Sequence, residues 1–194
     1  MGVSLSKGQK VSLTKSDGGG LKRIAVGLGW GKKKAMFGLF KADVDLDASA
    51  LLYSGGGEPV DAVWFGSLRS RDGSIVHTGD DRAGGGSEQD PNEVINVDLT
   101  AVPREISSIV FVVNSYSGES FKGVPFAFCN VVDGATSKES ARYNLNTDGG
   151  DYRGFIIAKV IRTGGGWSFE AIGEPCTGRQ RTIEDIEPQA RRFA

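Results

Sequence analysis

The chain has 194 residues, of which 39% are hydrophobic and 24% charged, and its net charge at pH 7 is −1. This balance gives no overall attraction to nucleic acid or acidic membranes, and no apolar stretch approaches the roughly 20 residues that cross a bilayer. Cys129 and Cys176 lie far apart without a metal-binding spacing, and the N-terminus has no signal-peptide pattern. We therefore expect a cytoplasmic protein with reduced thiols.

Short apolar runs recur between turn signals along the chain, a spacing typical of an all-β sandwich. They are rich in Val, Ile, Phe and Trp, which suit a pleated, half-buried surface. Ile24, Val26 and Leu28 alternate with small residues, as in a strand with one face in the core. The predicted strands are Ile24–Leu28, Leu46–Leu52, Ala62–Phe65, Ile109–Val113, Phe126–Val132, Phe155–Ile161 and Trp167–Ile172.

Helical signals are few. The run Phe155–Ile161 also fits a buried helix, but its β-branched residues and the glycines at 164–166 favour a strand that returns through Trp167. One helical turn is expected at Val102–Ser107, and a short helix from Thr182 that Pro188 would disrupt. We predict an all-β, two-sheet β-sandwich with a few short helices, in one domain over residues 1–177 with a charged tail over residues 178–194.

The segment Gly29–Ala42 is expected to be a long loop. Its lysines at 32–34 and its apolar residues between 36 and 40 would suit a membrane-surface or partner patch. A solvated insert that packs a few apolar residues onto the domain is the simpler interpretation, and we favour it.

Three carboxylates alternate along Asp43, Asp45 and Asp47, just before and within a predicted strand. Side chains two residues apart share a face of a strand, so the three like charges would repel one another unless a hard cation or a basic partner neutralises them. The segment is not an EF-hand, because Ala48 stands where that loop needs glycine and Ser54 where it needs glutamate.

A second acidic segment, His77–Glu93, is rich in glycine and carries five acidic groups against one arginine. Glycine lets a backbone take positive φ and turn its carbonyls inward, and calcium prefers carboxylate and carbonyl oxygens. An ordinary solvated acidic loop is the competing interpretation for either segment alone.

Several motifs together resemble TerD-type tellurium-resistance and stress proteins, over roughly residues 1–173. The segment after Trp30 is similar to the insert of TerZ-like members. The motifs are Ser4–Gln9, Val26–Trp30, Asp45–Ala50, Asp72–Ser74, His77–Asp80 and Glu93–Ile95. The resemblance implies a two-sheet β-sandwich, calcium-binding loops and a cytoplasmic role in tellurite resistance or stress response without catalysis.

The resemblance also implies a set of calcium ligands. Gly31 stands where the family commonly has aspartate, so Asp43 would compensate, and the number of ions is one or two. Gly84 and Gly86 would offer backbone carbonyls. The implied metal ligands are Asp43, Asp45, Asp47, Asp80, Asp81, Gly84, Gly86, Asp90 and Glu93.

The expected function is a calcium-binding interaction module, without catalytic residues, whose partners are other tellurium-resistance or stress proteins. We expect no binding to nucleic acid, and association with membrane surfaces only through partners. Two alternatives stay open: a hydrolytic or redox enzyme that uses His77 or Cys129, and a scaffold that ignores metal. Cys129 lies in a predicted strand, so we expect it to be buried and inert.

Overall fold

A computed structural model describes residues 3–4, 8–12, 22–35, 40–122, 124–145, 150–164, 166–178 and 182–194. The elements in chain order are β1 Val3–Ser4, β2 Lys10–Ser12, β3 Arg23–Trp30, β4 Lys33–Ala35, β5 Phe40–Ala42, β6 Leu46–Ser54, β7 Pro59–Val63, β8 Ile75–His77, β9 Glu93–Asp98, β10 Ile106–Ser115, β11 Ala127–Asp133, β12 Glu139–Asn144, β13 Gly154–Thr163, β14 Gly166–Cys176, and a short helix α1 Glu187–Ala190 that continues as a 3-10 turn over Arg191–Phe193.

The strands form two six-stranded sheets and one small hairpin. The first sheet has the order β1-β12-β11-β3-β9-β8, and the second sheet has the order β2-β14-β13-β10-β6-β7. Neighbouring strands run antiparallel, apart from the parallel pair β1 and β12. Within the ranges that the structure describes, strands β4 and β5 pair only with each other.

The core lies between the two sheets, where the alternating apolar residues meet. Val26 and Leu28 of the first sheet belong to the same buried cluster as Ala50, Phe111 and Ile157 of the second. A sheet with one apolar face must bury it, and the second sheet supplies the partner surface. The predicted two-sheet β-sandwich is confirmed. The run Phe155–Ile161 lies within β13, which pairs with β14 as predicted, and not in a helix.

The second sheet also buries part of its outer face, beneath the C-terminal segment. Ile186 and Ala190 are fully buried there against Leu51, Val110 and Ile156. Pro188 lies in the first turn of α1, where its missing N–H costs little. The helix therefore begins at Glu187 and not at Thr182, and Pro188 lies in its first turn instead of disrupting it. The division of the chain at residue 177 stays a prediction.

Other segments differ from the sequence prediction. Val102–Ser107 contains a turn and the start of β10, with no helix. The expected loop Gly29–Ala42 contains the end of β3 and the β4–β5 hairpin, while its apolar residues 36–39 lie outside the described residues. His77 and Glu93 were placed in a loop but lie in strands β8 and β9. Strand β8 has only three residues, too few for alternation to reveal it.

Candidate metal centre

Three aspartates converge at one end of the sandwich. Asp45 directly precedes β6, Asp47 is its second residue, and Asp80 lies in the loop that follows β8. Because β6 belongs to the second sheet and β8 to the first, the site joins the two sheets. One carboxylate oxygen from each aspartate lies within 4.8 Å of the others. This cluster could hold a metal ion.

The carboxylates differ in exposure, which sets their electrostatics. Asp47 is buried with 2% of its surface exposed, Asp45 is half-buried and Asp80 faces solvent. Burial, followed by repulsion from Asp45, Glu93 and Asp80, raises the pKa of Asp47 to about 8. Burial, followed by repulsion from Asp80 and Glu93, raises the pKa of Asp45 to about 6. Ionised together, these groups destabilise one another unless a cation offsets their charge.

By alternation the aspartates share the strand face opposite the core, but the structure shows that this face is not exposed at Asp47. The core-facing residues Leu46, Ala48 and Ala50 are buried, and Asp47 on the opposite face is buried as well. It is covered because Asn114 in the adjacent strand β10 donates from Nδ2 to Asp47 Oδ2 at 2.8 Å. Nothing in the sequence links Asn114 to Asp47, since 67 residues separate them.

The chemistry of the cluster fits a hard cation. Asp45 Oδ1 is shielded from solvent and has no hydrogen-bond partner among the described residues. An unsatisfied buried oxygen is costly, and an oxygen-seeking ion would satisfy it. The groups in the cluster are all carboxylates, the ligand type preferred by calcium and magnesium.

Glu93 lies beside the cluster and is fully buried. Its Oε2 accepts a hydrogen bond from Ala48 N at 2.7 Å, and its Oε1 accepts one from Asp81 N at 3.1 Å. His77 is also buried, and its Nε2 lies 3.4 Å from Glu93 Oε2. His77 Nδ1 accepts a hydrogen bond from Gly79 N at 3.0 Å.

Asp81, the neighbour of Asp80, accepts hydrogen bonds from other residues of the same loop. Its Oδ1 accepts hydrogen bonds from the backbone N–H groups of Ala83 and Gly84, and its Oδ2 accepts one from Asn92 Nδ2 at 3.1 Å. Burial opposes ionisation of Asp81, but these hydrogen bonds outweigh it and lower its pKa. Asp81 is therefore a satisfied carboxylate that fixes the backbone after Asp80.

The rest of the acidic loop lies flat on the outer face of the first sheet. A Cβ at Gly27 would collide with Asn130 and Pro91, and a Cβ at Gly29 would collide with the Phe128 ring. Asn92 N donates to the backbone carbonyl of Leu28 in β3 at 2.8 Å, between these two glycines. The glycines of β3 thus provide the space in which the loop packs, away from the aspartate cluster.

The remaining predicted ligands lie outside the cluster. Asp43 is exposed and forms an ion pair with Lys32 at 2.7 Å. Asp90 is exposed and accepts a hydrogen bond from Ser87 Oγ at 2.8 Å. Gly84 packs against the Trp30 indole, and both Gly84 and Gly86 have positive φ. The structure thus brings together Asp45, Asp47 and Asp80, with Glu93 adjacent.

A group of aromatic and apolar side chains, half-buried at Trp64 and Phe65 and exposed at Leu68 and Tyr116, borders the centre and was not predicted from the sequence. Tyr116 is 44% exposed, and its N–H donates to the backbone carbonyl of Asp45 at 2.9 Å. Its ring packs edge-on against Phe65 at 5.6 Å, and Phe65 packs against Trp64 at 4.7 Å. Leu68, 43% exposed, accepts a backbone hydrogen bond from His77. We call Trp64, Phe65, Leu68 and Tyr116 the aromatic patch.

The two candidate catalytic groups are both buried. Cys129 is in the core, where burial raises the pKa of its thiol to about 12. His77 is 3% exposed. None of the helices in the described part of the chain has the length and apolar content needed to cross a membrane.

Comparison with known proteins places this chain in a family. The TerD domain model matches residues 1–185. The chain is 44% identical to tellurium resistance protein TerZ of Serratia marcescens over 95% of this chain and 94% of that protein. It is 37% identical to stress response protein SCP2 of Bacillus subtilis (strain 168), over 96% of this chain and 98% of that protein.

The fold is also found in a solved structure. The crystal structure of a homologue of telluride resistance protein (TerD) from Streptomyces coelicolor A3(2) superposes with a TM-score of 0.70. It is 22% identical and covers 84% of this chain and 95% of that chain. With the match to the family model and the relatives above, the chain belongs to the TerD family of tellurium-resistance and stress-response proteins.

Proposed function

We propose that this protein binds one calcium ion through Asp45, Asp47 and Asp80 and acts as a non-enzymatic interaction module in a cytoplasmic stress or tellurite-resistance system. The observation that carries the proposal is the convergence of three carboxylates, two of them with raised pKa, where a buried Asp45 oxygen has no partner in the described part of the chain. A divalent cation offsets the repulsion and satisfies that oxygen.

Calcium suits this centre better than magnesium does. Calcium accepts six to eight oxygens in irregular geometry, whereas magnesium requires a near-ideal octahedron. Here the ligands come from a strand of one sheet and a loop that follows the other, and backbone carbonyls and water would complete the shell. One ion is favoured over two because Asp43, Asp81 and Asp90 do not belong to the one group of carboxylates whose oxygens converge among the described residues.

The burial of the two candidate catalytic groups, Cys129 and His77, supports a role without catalysis. A nucleophilic cysteine requires a lowered pKa and access to substrate, and Cys129 has the opposite of both. The His77 ring is enclosed between the backbone of its own loop and Glu93. An enzyme that used either residue would have to expose it first.

The proposed partners are other proteins of the same stress system, contacted through the aromatic patch. Exposed aromatic side chains are enriched at protein interfaces, and Tyr116 is fixed to Asp45 by a backbone hydrogen bond. Ion binding at Asp45 would therefore order the patch directly. The relatives named for tellurium resistance and stress response support this context.

Thermal unfolding with and without calcium tests the proposal. Wild-type protein is first freed of metal with a chelator. We expect millimolar calcium to raise its melting temperature, because an ion that binds only the native state stabilises that state. The Asp45→Asn/Asp47→Asn variant should lose the calcium response. Glu105→Gln, which removes an exposed charge at the far end of β10, is the matched control and should keep it. An unchanged wild-type melting temperature at saturating calcium would remove the metal from the proposal.

A further inference from the structure

Glu93 was expected to be an ion ligand, and its contacts indicate a different role. We propose that Glu93 is a positioning residue: it joins the two segments that carry the aspartates, so that Asp47 and Asp80 face each other. This inference rests on the proposed function for its consequence in ion binding. Its structural part can be tested in the absence of any metal.

The hydrogen bonds of Glu93 lead to both ligand-bearing segments. Its Oε2 accepts from the N–H of Ala48, the residue after Asp47, at 2.7 Å. Its Oε1 accepts from the N–H of Asp81, the residue after Asp80, at 3.1 Å. One carboxylate therefore sets the separation between the β6 backbone and the loop backbone, one residue away from each aspartate.

The position of Glu93 in the fold makes this connection necessary. Glu93 begins β9 in the first sheet, whereas Ala48 lies in β6 of the second sheet. No ladder of backbone hydrogen bonds joins the two strands, since each sheet pairs internally. A buried carboxylate that accepts two backbone N–H groups is a strong, directional link across this gap.

His77 packs against the Glu93 carboxylate from the other side. Its Nδ1 accepts a hydrogen bond from Gly79 N, and its Nε2 lies 3.4 Å from Glu93 Oε2 without a hydrogen bond to any described residue. His77 lies in β8, which pairs directly with β9. Both side chains are fully buried, so the orientation of the pair is fixed by packing.

Calcium titration of Glu93→Gln tests the positioning role. The amide keeps the size of the side chain, but its NH₂ group faces a backbone N–H donor, so one of the two links is lost. We expect calcium affinity to fall roughly 10–100-fold, as for other groups that orient metal ligands. Val97→Ala on the same strand also destabilises the core and is the matched control, which should keep its affinity within about threefold. Equal losses in both variants, or no loss in Glu93→Gln, would overturn the proposal.

The number of water molecules bound to the ion distinguishes a positioning residue from a ligand. Luminescence lifetimes of bound terbium, used as the probe, give the number of water molecules on the ion. Asp80→Ala should gain bound water, because a ligand is removed. Glu93→Gln should keep the wild-type number, and a gain in that variant would identify Glu93 as a ligand and contradict the inference.

Amide hydrogen exchange tests the link itself in chelated protein. We expect the N–H group that faces the new amide nitrogen, either Ala48 or Asp81, to exchange at least about tenfold faster in Glu93→Gln than in Val97→Ala. Unchanged exchange would overturn the inference. If wild-type protein binds neither calcium nor terbium, the proposed function fails, and the exchange result still decides whether Glu93 joins the two segments.

Discussion

Two regions of this protein are both rich in aspartate, but their carboxylates lie in opposite electrostatic environments. In the inner cluster, Asp45, Asp47 and Asp80 face one another, and burial and repulsion raise the pKa of the first two. In the outer loop, Asp81 accepts three hydrogen bonds and its pKa is lowered, while Asp90 accepts a hydrogen bond from Ser87. Both regions are acidic, but of the two only the inner cluster contains a buried carboxylate oxygen, Asp45 Oδ1, with no hydrogen-bond partner among the described residues.

The difference shows what distinguishes a metal centre from an acidic loop. A carboxylate that already accepts backbone N–H groups stabilises its own ionised form and gains little from a cation. A carboxylate that is buried against others of the same charge is destabilised until a cation or a proton arrives. Substitutions in the inner cluster should therefore change calcium affinity, and substitutions in the outer loop should change the stability of the metal-free protein.

The largest expected effect is on calcium affinity, from the inner cluster. Asp45→Asn/Asp47→Asn removes two charges from the proposed ligand set and should weaken calcium binding by about 100-fold or more, because ligand charge sets the affinity of such sites. Isothermal titration at neutral pH measures this change. Glu105→Gln should bind as the wild type does, and tight binding by the double variant would place the ion elsewhere.

The outer loop should instead affect the stability of the metal-free protein. Asp81→Ala leaves the N–H groups of Ala83 and Gly84 without their side-chain acceptor and removes one of the two acceptors of Asn92 Nδ2. We expect the free energy of unfolding to fall by about 1–3 kcal/mol. Urea unfolding in chelator measures it. Asp47→Asn should have the opposite sign at pH 8, because it removes a buried charge; a loss in both variants would abolish the contrast.

The pH dependence of the metal-free protein gives a third contrast. In the unfolded chain Asp45 and Asp47 lose their protons near pH 4, but in the fold they keep them to about pH 6 and about pH 8. The unfolded state therefore binds fewer protons across this window, and the contribution of these groups to stability is lost as the pH rises from about 4 to about 8. Urea midpoints in chelator should show this decline in the wild type and a smaller one in Asp47→Asn. A wild-type midpoint that rises across the window would contradict the assignment.

The smallest effects should come from the exposed carboxylates. Asp43 and Asp90 each have one surface partner, Lys32 and Ser87 respectively. Asp43→Asn and Asp90→Asn should change the free energy of unfolding by less than about 0.5–1 kcal/mol and leave calcium affinity within about threefold. Titration of either variant checks this, and a tenfold loss would return that residue to the ligand set.

Much of the fold was predictable from the sequence, because alternation is preserved wherever a strand borders the core. Ile24, Val26 and Leu28 are one example. Asp45 and Asp47 could also be identified, since their spacing and their family motif are local. The short β8 and the hairpin at residues 33–42 were missed, because three-residue strands have too little periodicity.

Asp81 and Asp43 could not be recognised from the sequence as satisfied carboxylates, because each has a side-chain partner outside its own local segment. Asn92 is 11 residues from Asp81, and Lys32 is 11 residues from Asp43. The role of Gly27 and Gly29 was equally hidden, since it depends on Asn130 and Phe128 in the neighbouring strand. Sequence shows which residues carry charge, whereas tertiary contacts decide which charges remain unsatisfied.

A crystal structure of the calcium-loaded protein, with anomalous scattering to locate the ion, tests the central claim most directly. The account predicts one ion in contact with carboxylate oxygens of Asp45, Asp47 and Asp80, at about 2.3–2.6 Å, and Glu93 still bonded to the N–H groups of Ala48 and Asp81. An ion held by Asp81 or Asp90 in the outer loop, with the three inner aspartates turned away from it, would contradict the account.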